Sequence, residues 1–384
     1  TLADRQLPTY SRILQQAPAG TRVMLTSGDV IVHLEDDLPP LPDVDVLCLG
    51  LWVEPEDAQH FGVFFADREE PEHFRFFRQK PPPAEIRQLA GDHLFMVDSG
   101  IWLLSARAVD VLMAKCGWDA QQQAFADGLP AAYELYADFG LGLGREPTVA
   151  DSQAATLSAA AVGLANAEFY HFGTSLDMIE SVTRLHRRVL DQRRLGPATA
   201  GTRLNQHTQN AAVHTDLTAV DRPFWIENAC IPAGWQLHGE HVLTGVPEND
   251  WHIALPAGAC IDVVPLAGGK LCWRPYGIRD PFRGGIGAEQ TTFMNQPLRQ
   301  WLHGRGLESD ALGDDDLDIQ RAPLFPVMTA GSMTADFLSW LIAVTPPDND
   351  ALRRAWRDVE RLSAADLLHC ADLRARFAQR RQRL

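Results

Sequence analysis

Residues 94–117 read LFMVDSGIWLLSARAVDVLMAKCG and combine the signals that decide the fold. The apolar residues on either side of a Ser-Gly pair are typical of two buried strands separated by a break. From residue 105 onward the apolar spacing is helical, and Gly117 is suited to end that helix. A strand that leads directly into a helix is the building unit of α/β proteins. The stretch therefore predicts an α/β domain.

Further strands are predicted on the N-terminal side of this stretch. VDVLCLGLWV, residues 44–53, is a continuous apolar run of the kind found in a buried strand of a parallel sheet. FGVFFAD and FRFFRQK read as two strands that flank an acidic turn. LPTYSRILQQA has helical spacing, and TRVMLTSGDVIV reads as a buried strand, a turn and more extended chain. The region from residue 118 to about 195 is expected to be mostly helical, interrupted by FYHFGTS.

The character of the sequence changes near residue 200. Short β runs with frequent Gly and Pro fill residues 224–275, and Ile-Pro-Ala-Gly at 231 recurs as Leu-Pro-Ala-Gly at 255. Such repetition favours a β-solenoid, with a β-sandwich as the alternative. Beyond residue 335 the pattern is helical. We therefore expect three domains: an α/β domain at 1–200, a β-rich and β-helical domain at 201–335, and a helical, Arg-rich segment at 336–384.

Composition and charge exclude several classes of protein. The 384 residues are 46% apolar and 22% charged, which is ordinary for a globular chain. A net charge of −16 argues against nucleic-acid binding. No apolar run approaches the ~20 residues that span a bilayer, and the first residues lack the pattern of a signal peptide. Six cysteines without C-x-x-C spacing fit reduced thiols, and a cytoplasmic location is expected.

The C-terminal residues carry the opposite charge. Between residues 351 and 384 there are nine Arg and four acidic residues. This segment is expected to form either a solvated helix face or a contact with an acidic partner or domain.

Asp29 follows a predicted strand and a Gly turn, in the stretch TSGDV. A side chain there lies at the carboxyl edge of a sheet, where α/β proteins bind ligands. A carboxylate suits Mg²⁺, a hard ion held by one or two carboxylates together with phosphate oxygens. The alternative is a turn Asp that caps its own backbone.

Lys80 ends a predicted strand and precedes three prolines. Because prolines restrict the backbone and disfavour helix at the residue before them, we expect this lysine to be held at the end of the strand. An ammonium group binds phosphate well. A solvated lysine before a loop is the alternative.

Asp98 in VDSGIW and Glu134 in YELYADF are candidates for binding a sugar. Their carboxylates accept hydrogen bonds from hydroxyl groups, and Gly100 would let a ring approach the backbone. A turn Asp and a Glu on a helix surface are the alternatives.

His171 lies among aromatic residues in FYHFGTS, where a hydrogen-bonded core histidine is the commoner role. Gly173 and Thr174 follow it with the pattern of a strand-to-helix turn, in which a Thr or Ser caps the helix LDMIESV.

The order of these motifs resembles that of the sugar-1-phosphate nucleotidyltransferases. Their residues strongly resemble those of the L-fucose-1-phosphate guanylyltransferase (GDP-fucose pyrophosphorylase) domain. The phrases that carry the resemblance lie between about residues 7 and 326: SGDV, HFGVFF, QKP, VDSGIWLLS, YELYADFGL, EFYHFGTS, HVLTGVPEN and RPYGIRDPFRG. The resemblance implies a partial Rossmann-like nucleotidyltransferase sheet, followed by a left-handed parallel β-solenoid and a helical C-terminal segment.

The resemblance also implies a reaction and its partners. GTP and L-fucose 1-phosphate would give GDP-L-fucose and pyrophosphate, in a domain that is often fused to a sugar kinase. Asp29 would hold Mg²⁺ and Lys80 would grip the sugar phosphate. The sugar would be bound by Asp98, Gly100 and Glu134.

Three further residues are implied to bind substrate: His171, Gly173 and Thr174. Related enzymes usually have a second metal-binding Asp at the position of His171. Imidazole is a poor ligand for Mg²⁺, so we expect either a second carboxylate from elsewhere or another role for His171, such as donating to a phosphate.

Two motifs of longer relatives have no counterpart here. No G-x-G-T-R-like loop precedes Asp29, and no Gly/Ser-rich ATP loop follows residue 335. We interpret the chain as a piece of a longer protein. A non-catalytic, nucleotidyltransferase-like module that binds a sugar phosphate or scaffolds an assembly is the alternative. A different nucleotide or sugar 1-phosphate would keep the chemistry and change the specificity.

Overall fold

The computed structural model describes residues 6–71, 73–126, 128–188, 205–218 and 220–382. The chain divides into two compact units, of which the first ends at His171 and the second begins at Phe172. The boundary predicted at residues 200/201 lies outside the described residues.

The first unit combines strands and helices. Its strands are β1 (Val23–Thr26), β2 (Val30–Leu34), β3 (Val46–Leu51), β4 (Gly62–Ala66), β5 (Phe74–Gln79), β6 (Leu94–Leu104), β7 (Trp118–Asp119), β8 (Ala124–Phe125), β9 (Ala159–Leu164) and β10 (Ala167–His171). Its α-helices are α1 (Leu7–Leu14), α2 (Pro55–Ala58), α3 (Pro83–Leu89) and α4 (Ala106–Lys115). A π-helical turn, Leu135–Phe139, and 3₁₀ turns, Gly140–Gly142 and Ala154–Thr156, follow α4.

The central sheet is mixed. Its strand order is β5-β4-β6-β3-β9, and β1 also pairs with β6. All six residues of β3 are buried, as its apolar run predicts. It pairs in parallel with β9 and antiparallel with β6, whereas the β1–β6, β4–β6 and β4–β5 pairs are antiparallel. The expected α/β sheet is confirmed, with a larger antiparallel share than the apolar run of β3 indicated.

Strand β6 is one strand of 11 residues and not two, and the break predicted at Ser-Gly is found as an irregularity inside it, where the register with β3 shifts between Cys48 and Gly50. Gly100 lies at this irregularity with a φ of +74°, and the carboxylate of Asp98 accepts a hydrogen bond from the Gly100 N–H at 2.9 Å. The left-handed residue Gly100 therefore lies inside the strand and does not end it.

One edge of β6 is shared by two strands. Val63 of β4 pairs with Val97, and Thr26 of β1 pairs with Ile101. Residues 98–100 lie between these two pairings, where the chain that leaves β1 and the chain that enters β4 separate. This separation positions the candidate site.

Strands β2 and β10, which are far apart in the sequence, form a two-stranded sheet beside the candidate site. The two strands are antiparallel, with His171 opposite Val30 and Phe169 opposite Val32. This pairing brings the last strand of the unit beside the segment that follows β1.

The prediction of mostly helical structure between residue 118 and about 195 is wrong for most of the segment. In the part that the structure describes, the chain before β9 consists of the short strands β7 and β8, irregular segments and short π-helical and 3₁₀ turns, and an α-helix forms only at Ser175–Arg187, α5. Side chains stabilise the irregular chain. The buried carboxylate of Asp151 accepts hydrogen bonds from the Lys115 ammonium at 2.7 Å and the Tyr133 hydroxyl at 2.9 Å.

The second unit contains the β-rich region and the terminal helices. Its strands are β11 (Gln206–Gln209), β12 (Ala212–Val213), β13 (Phe224–Glu227), β14 (Cys230–Ile231), β15 (Trp235–Leu237), β16 (His241–Thr244), β17 (Ile253–Leu255), β18 (Ala259–Pro265), β19 (Leu271–Gly277), β20 (Thr292–Phe293), β21 (Gln296–Pro297), β22 (Phe325–Met328) and β23 (Arg361–Leu362). After α5, its α-helices are α6 (Leu298–His303), α7 (Ala335–Ile342), α8 (Asp350–Asp358), α9 (Ala364–Cys370) and α10 (Leu373–Gln382).

Parallel columns of strands confirm the predicted β-solenoid. The columns are β11-β13-β16-β18, β12-β14 and β15-β17. Gln206 pairs with Phe224 and Trp235 pairs with Ile253, so these turns take 18 residues, whereas Phe224 pairs with His241, 17 residues on. The repeated Pro-Ala-Gly tripeptides follow strands of different columns, β14 and β17, and therefore mark corners of the coil, not its period. The left-handed sense stays a prediction.

The predicted C-terminal helices are confirmed, and arginines of α10 contact the solenoid. Arg376 lies 3.3 Å from Asp262 of β18, and Arg380 lies 4.0 Å from Glu227 of β13. Of the two roles expected for the Arg-rich segment, contact with acidic residues is found for these two side chains. Within the described residues, no helix has both the length and the apolar character that a membrane span requires.

Candidate functional site

A cavity of about 270 Å³ opens in the first unit, where β1 and β4 separate along β6. Its polar side includes Asp29, Lys80 and Asp98, which come from three distant parts of the sequence. Aromatic rings of Phe61 and Phe169 form another side. The sheet therefore brings together two carboxylates, an ammonium group and an apolar wall.

Asp29 is held by the segment that leaves β1. The Ser27 hydroxyl donates a hydrogen bond of 2.5 Å to Oδ1 of Asp29, and Nε2 of His171 lies 3.5 Å from Oδ2. The hydrogen bond from Ser27 is the main reason why the pKa of Asp29 lies below its ordinary value. Its side chain is 49% exposed. Asp29 therefore presents an ionised carboxylate to the cavity at neutral pH.

Lys80 follows β5 directly, as predicted, and its backbone is fixed on both sides. Its φ is +51°, a left-handed conformation that costs a non-glycine residue about 1–2 kcal/mol. The Lys80 N–H donates to the Phe61 carbonyl at 2.9 Å, and Pro83 begins α3. Among the described residues, no carboxylate lies within ion-pair distance of the Lys80 ammonium. The charge is therefore available to a ligand.

Asp98 is the buried carboxylate of the site, with 5% of its surface exposed. Its Oδ1 accepts hydrogen bonds from the Gly100 N–H at 2.9 Å and from the Trp102 indole N–H at 3.0 Å. Burial outweighs these bonds and raises the pKa of Asp98 to about 7. At neutral pH this carboxyl can therefore accept or donate a hydrogen bond.

Gly100 is required by both conformation and space. A Cβ at this position would lie 2.9 Å from the Cβ of Ser27, and the positive φ would strain any larger residue. The Gly100 carbonyl accepts a hydrogen bond of 2.8 Å from the Ser27 N–H. Gly100 thus positions the segment that carries Asp29, in addition to lining the cavity.

His171 lies beside the aromatic wall. Its ring is stacked at 8° to that of Phe169, with centroids 6.2 Å apart, and stands at 84° to that of Phe61 at 5.1 Å. The imidazole lies at the cavity and is not enclosed in the core, because 28% of its side chain is exposed.

Sequence reasoning missed several residues of the cavity. Ser27, Phe61, Gln79 and Tyr136 each belong to a motif that the sequence analysis quotes: SGDV, HFGVFF, QKP and YELYADF. Membership of those motifs was the signal that could have identified them. Burial raises the pKa of the Tyr136 phenol above its ordinary value, so the phenol stays protonated at neutral pH and can donate a hydrogen bond.

Three predicted residues are not brought into this cavity. Glu134 is exposed, and precedes the π-helical turn whose Tyr136 lines the cavity. Gly173 and Thr174 belong to the second unit. There the Thr174 hydroxyl accepts a hydrogen bond of 3.1 Å from the Asp177 N–H and caps α5, as the turn pattern predicted.

The residues present fit a Mg²⁺ ion that one protein carboxylate holds. Asp29 offers hard oxygen atoms in an open cavity, and Mg²⁺ commonly takes its remaining ligands from phosphate and water. Within the described part of the chain, no group of three His, Cys, Asp or Glu residues could hold a metal by itself. A site made of protein ligands alone is therefore not supported.

Known proteins that are similar to this chain include a curated protein and a solved structure. The chain is 38% identical over 382 residues to the L-fucokinase/L-fucose-1-P guanylyltransferase of Bacteroides fragilis. The match covers 99% of this chain and 39% of that protein, so the chain spans about two fifths of the length of this curated relative. A solved structure, the mannose-1-phosphate geranyltransferase from Thermus thermophilus, is similar with 14% identity and a TM-score of 0.30, over 69% of this chain and 68% of the other.

The sequence model of the fucose pyrophosphorylase domain matches residues 2–330, which is most of the chain. The match includes every residue that lines the candidate cavity. This chain therefore belongs to the fucose pyrophosphorylase domain family.

Proposed function

We propose that this protein is a sugar-1-phosphate nucleotidyltransferase that makes GDP-L-fucose and pyrophosphate from GTP and L-fucose 1-phosphate. The observation that carries the proposal is the presence of Lys80 and Asp29 on one cavity in a chain of the fucose pyrophosphorylase domain family. An ammonium group and a carboxylate that can hold a metal are the two charges needed to bring two phosphorylated reactants together.

The proposed reaction is an in-line displacement at phosphorus. A phosphate oxygen of L-fucose 1-phosphate forms a bond to the α-phosphorus of GTP, and the bond from that phosphorus to the oxygen bridging to the β-phosphorus breaks. The electron pair leaves with pyrophosphate. The protein contributes mainly position and neutralisation of charge.

Lys80 is proposed to bind the phosphate of the sugar. Its backbone is fixed by the hydrogen bond to Phe61, so the ammonium group acts from a defined base. Binding the phosphate dianion reduces its repulsion from the triphosphate and holds the attacking oxygen in place.

Asp29 is proposed to hold Mg²⁺, with Ser27 keeping the carboxylate ionised and oriented. When bound, the ion would neutralise negative charge on the phosphates of the nucleotide. His171 beside Asp29 is proposed to donate to a phosphate. Glu134, Gly173 and Thr174 stay predictions as substrate-binding residues.

Asp98 is proposed to bind a sugar hydroxyl. Its Oδ1 is already used by Gly100 and Trp102, which leaves Oδ2 for a ligand in the cavity that Asp98 lines. Gly100 would allow the sugar ring to approach the backbone, as predicted.

We also propose a partner domain for the full-length protein. The name of the Bacteroides fragilis relative joins a fucokinase to a guanylyltransferase. We propose that a fused sugar kinase supplies L-fucose 1-phosphate to this domain. A cytoplasmic location stays a prediction, as does the absence of nucleic-acid and membrane partners.

Turnover of the full-length protein tests the proposal. With GTP, L-fucose 1-phosphate and Mg²⁺, we expect equal amounts of GDP-L-fucose and pyrophosphate, measured by mass spectrometry and a coupled pyrophosphate assay. Absence of both products would contradict the proposal. Calorimetry separates the alternative: binding of sugar phosphate without binding of nucleotide would favour a non-catalytic module.

A further inference from the structure

The cavity has an aromatic corner that the proposed chemistry does not use. Phe61, just before β4, and Phe169 of β10 line the cavity together. Their ring centroids are 5.1 Å apart and the rings are nearly perpendicular, at 88°. Both side chains are only partly buried in the hydrophobic clusters beneath them. Because both residues line the cavity, a ligand bound there would lie beside them.

This corner is tied to the proposed phosphate-binding residue. The carbonyl of Phe61 accepts the hydrogen bond from the backbone N–H of Lys80 at 2.9 Å. The position of the Phe61 backbone relative to the Lys80 backbone is therefore fixed. A ligand whose phosphate contacts Lys80 would present another part of itself to Phe61.

The polar and apolar sides of the cavity match a sugar with one apolar substituent. Asp98 lies on the polar side, where hydroxyl groups would bind. L-fucose is 6-deoxy-L-galactose, so its ring carries hydroxyl groups and a single methyl group. A cavity of about 270 Å³ lies at the small end of ligand sites, which suits one sugar ring better than a whole nucleotide.

The geometry of the rings argues against stacking of a purine base. A base normally lies flat against an aromatic face or between two parallel faces. Here Phe61 stands at 88° to Phe169 and at 84° to His171, so Phe61 does not form with either ring a pair of parallel faces between which a base could lie. A perpendicular corner suits a compact group such as a methyl.

We propose that Phe61 and Phe169 form the binding site for the methyl group of L-fucose 1-phosphate, and that they favour this 6-deoxy sugar over its 6-hydroxy counterpart. This inference rests on the proposed function. In an apolar corner a hydroxyl group loses hydrogen bonds to water without gaining a partner. Discrimination of this kind reaches roughly 10–200-fold.

The ratio of kcat/KM for L-fucose 1-phosphate to that for L-galactose 1-phosphate, measured on the full-length protein with GTP, tests the inference. We expect wild type to prefer L-fucose 1-phosphate, and Phe61→Ala and Phe169→Ala to lower the ratio by about tenfold, mainly through KM for the sugar phosphate. The KM for GTP should stay unchanged. Phe125→Ala is the matched control, because this partly buried phenyl packs on Trp118 away from the cavity, and it should keep the ratio.

A second measurement does not depend on folding of the variants or on turnover. In the NMR spectrum of L-fucose 1-phosphate bound to wild type, aromatic rings should shift the methyl signal upfield, and saturation of that signal should transfer to aromatic protons. An unshifted methyl signal, or an unchanged ratio in folded Phe61→Ala and Phe169→Ala, would overturn the inference. A raised KM for GTP with an unchanged ratio would also overturn it, by assigning the corner to the base. A wild type that binds the sugar phosphate but makes no GDP-L-fucose would instead contradict the proposed function.

Discussion

Nε2 of His171 lies 3.5 Å from Oδ2 of Asp29, while the Ser27 hydroxyl donates to the other carboxylate oxygen at 2.5 Å. The two neighbours come from different elements: Ser27 follows β1, and His171 ends β10. Asp29 is thereby held in one orientation at the cavity. This arrangement explains how a single carboxylate in a turn could serve as a metal ligand.

Asp29→Asn should separate the charge of this residue from its shape. The amide oxygen can still accept the hydrogen bond from Ser27, but the negative charge is lost. We expect kcat/KM for formation of GDP-L-fucose to fall by about 100-fold or more, and the Mg²⁺ concentration that gives half-maximal rate to rise. Steady-state kinetics over a Mg²⁺ series measures both.

Asp92→Asn is the control for this change, because Asp92 is exposed and does not line the cavity. It should behave as wild type. An Asp29→Asn variant with an unchanged Mg²⁺ requirement would contradict the proposal that Asp29 holds the ion.

Asp98 should make stability depend on pH. Burial raises its pKa from 3.8 to about 7, so the folded chain binds the proton more tightly than the unfolded chain. The free energy of unfolding should therefore fall as pH rises from about 4 to about 7, by as much as roughly 4 kcal/mol in total. In Asp98→Asn this contribution is absent, because the amide does not titrate and its oxygen can still accept from Gly100 and Trp102.

Urea unfolding at pH 5 and pH 8 measures the effect. The loss of stability between the two pH values should be smaller in Asp98→Asn than in wild type, and Asp92→Asn should follow wild type. Equal losses in wild type and Asp98→Asn would show that Asp98 does not carry the pH dependence.

Arg305 stabilises the second unit through buried hydrogen bonds. It is 2% exposed, and its guanidinium stacks on Trp301 at 4.2 Å. Although burial lowers its pKa to about 9, it remains charged at neutral pH. It donates to the carbonyls of Trp340, Leu341 and Ala343 at the end of α7. These are carbonyls that a helix cannot satisfy by itself.

Arg305→Met should lower the free energy of unfolding by about 2–5 kcal/mol, because the apolar stem is kept while several buried carbonyls lose their partner. Denaturant unfolding followed by tryptophan fluorescence measures the change. Arg354→Met, at an exposed position of α8, should cost less than about 0.5 kcal/mol. Similar values for the two variants would contradict the role given to Arg305.

Local sequence signals predicted much of the fold. Strands with strong apolar runs, such as β3 and β4, and helices with a clear cap or end, such as α4, are where expected. The irregular chain after α4 was missed, because its stability comes from contacts such as that of Asp151 with Lys115, which no local pattern reveals. The period of the solenoid, 17 or 18 residues, was hidden, because the visible repeat marks corners of different columns.

Local motifs also predicted part of the candidate site. Of the residues predicted motif by motif, Asp29, Lys80, Asp98, Gly100 and His171 line one cavity. The other predicted residues do not line it: Glu134, Gly173 and Thr174. What local patterns could not give was the aromatic corner, since its two rings meet only through the pairing of β2 with β10 and of β4 with β6. Long-range pairing, not local propensity, decides which neighbours share the cavity.

The most direct test of the central claim is the rate of GDP-L-fucose formation by Lys80→Ala in the full-length protein. If Lys80 grips the sugar phosphate, kcat/KM for L-fucose 1-phosphate should fall about 100-fold, in line with the loss of one charge contact to the transition state. Lys270→Ala, in the second unit, is the matched control and should retain the wild-type rate. A Lys80→Ala variant that turns over at nearly the wild-type rate would contradict the account.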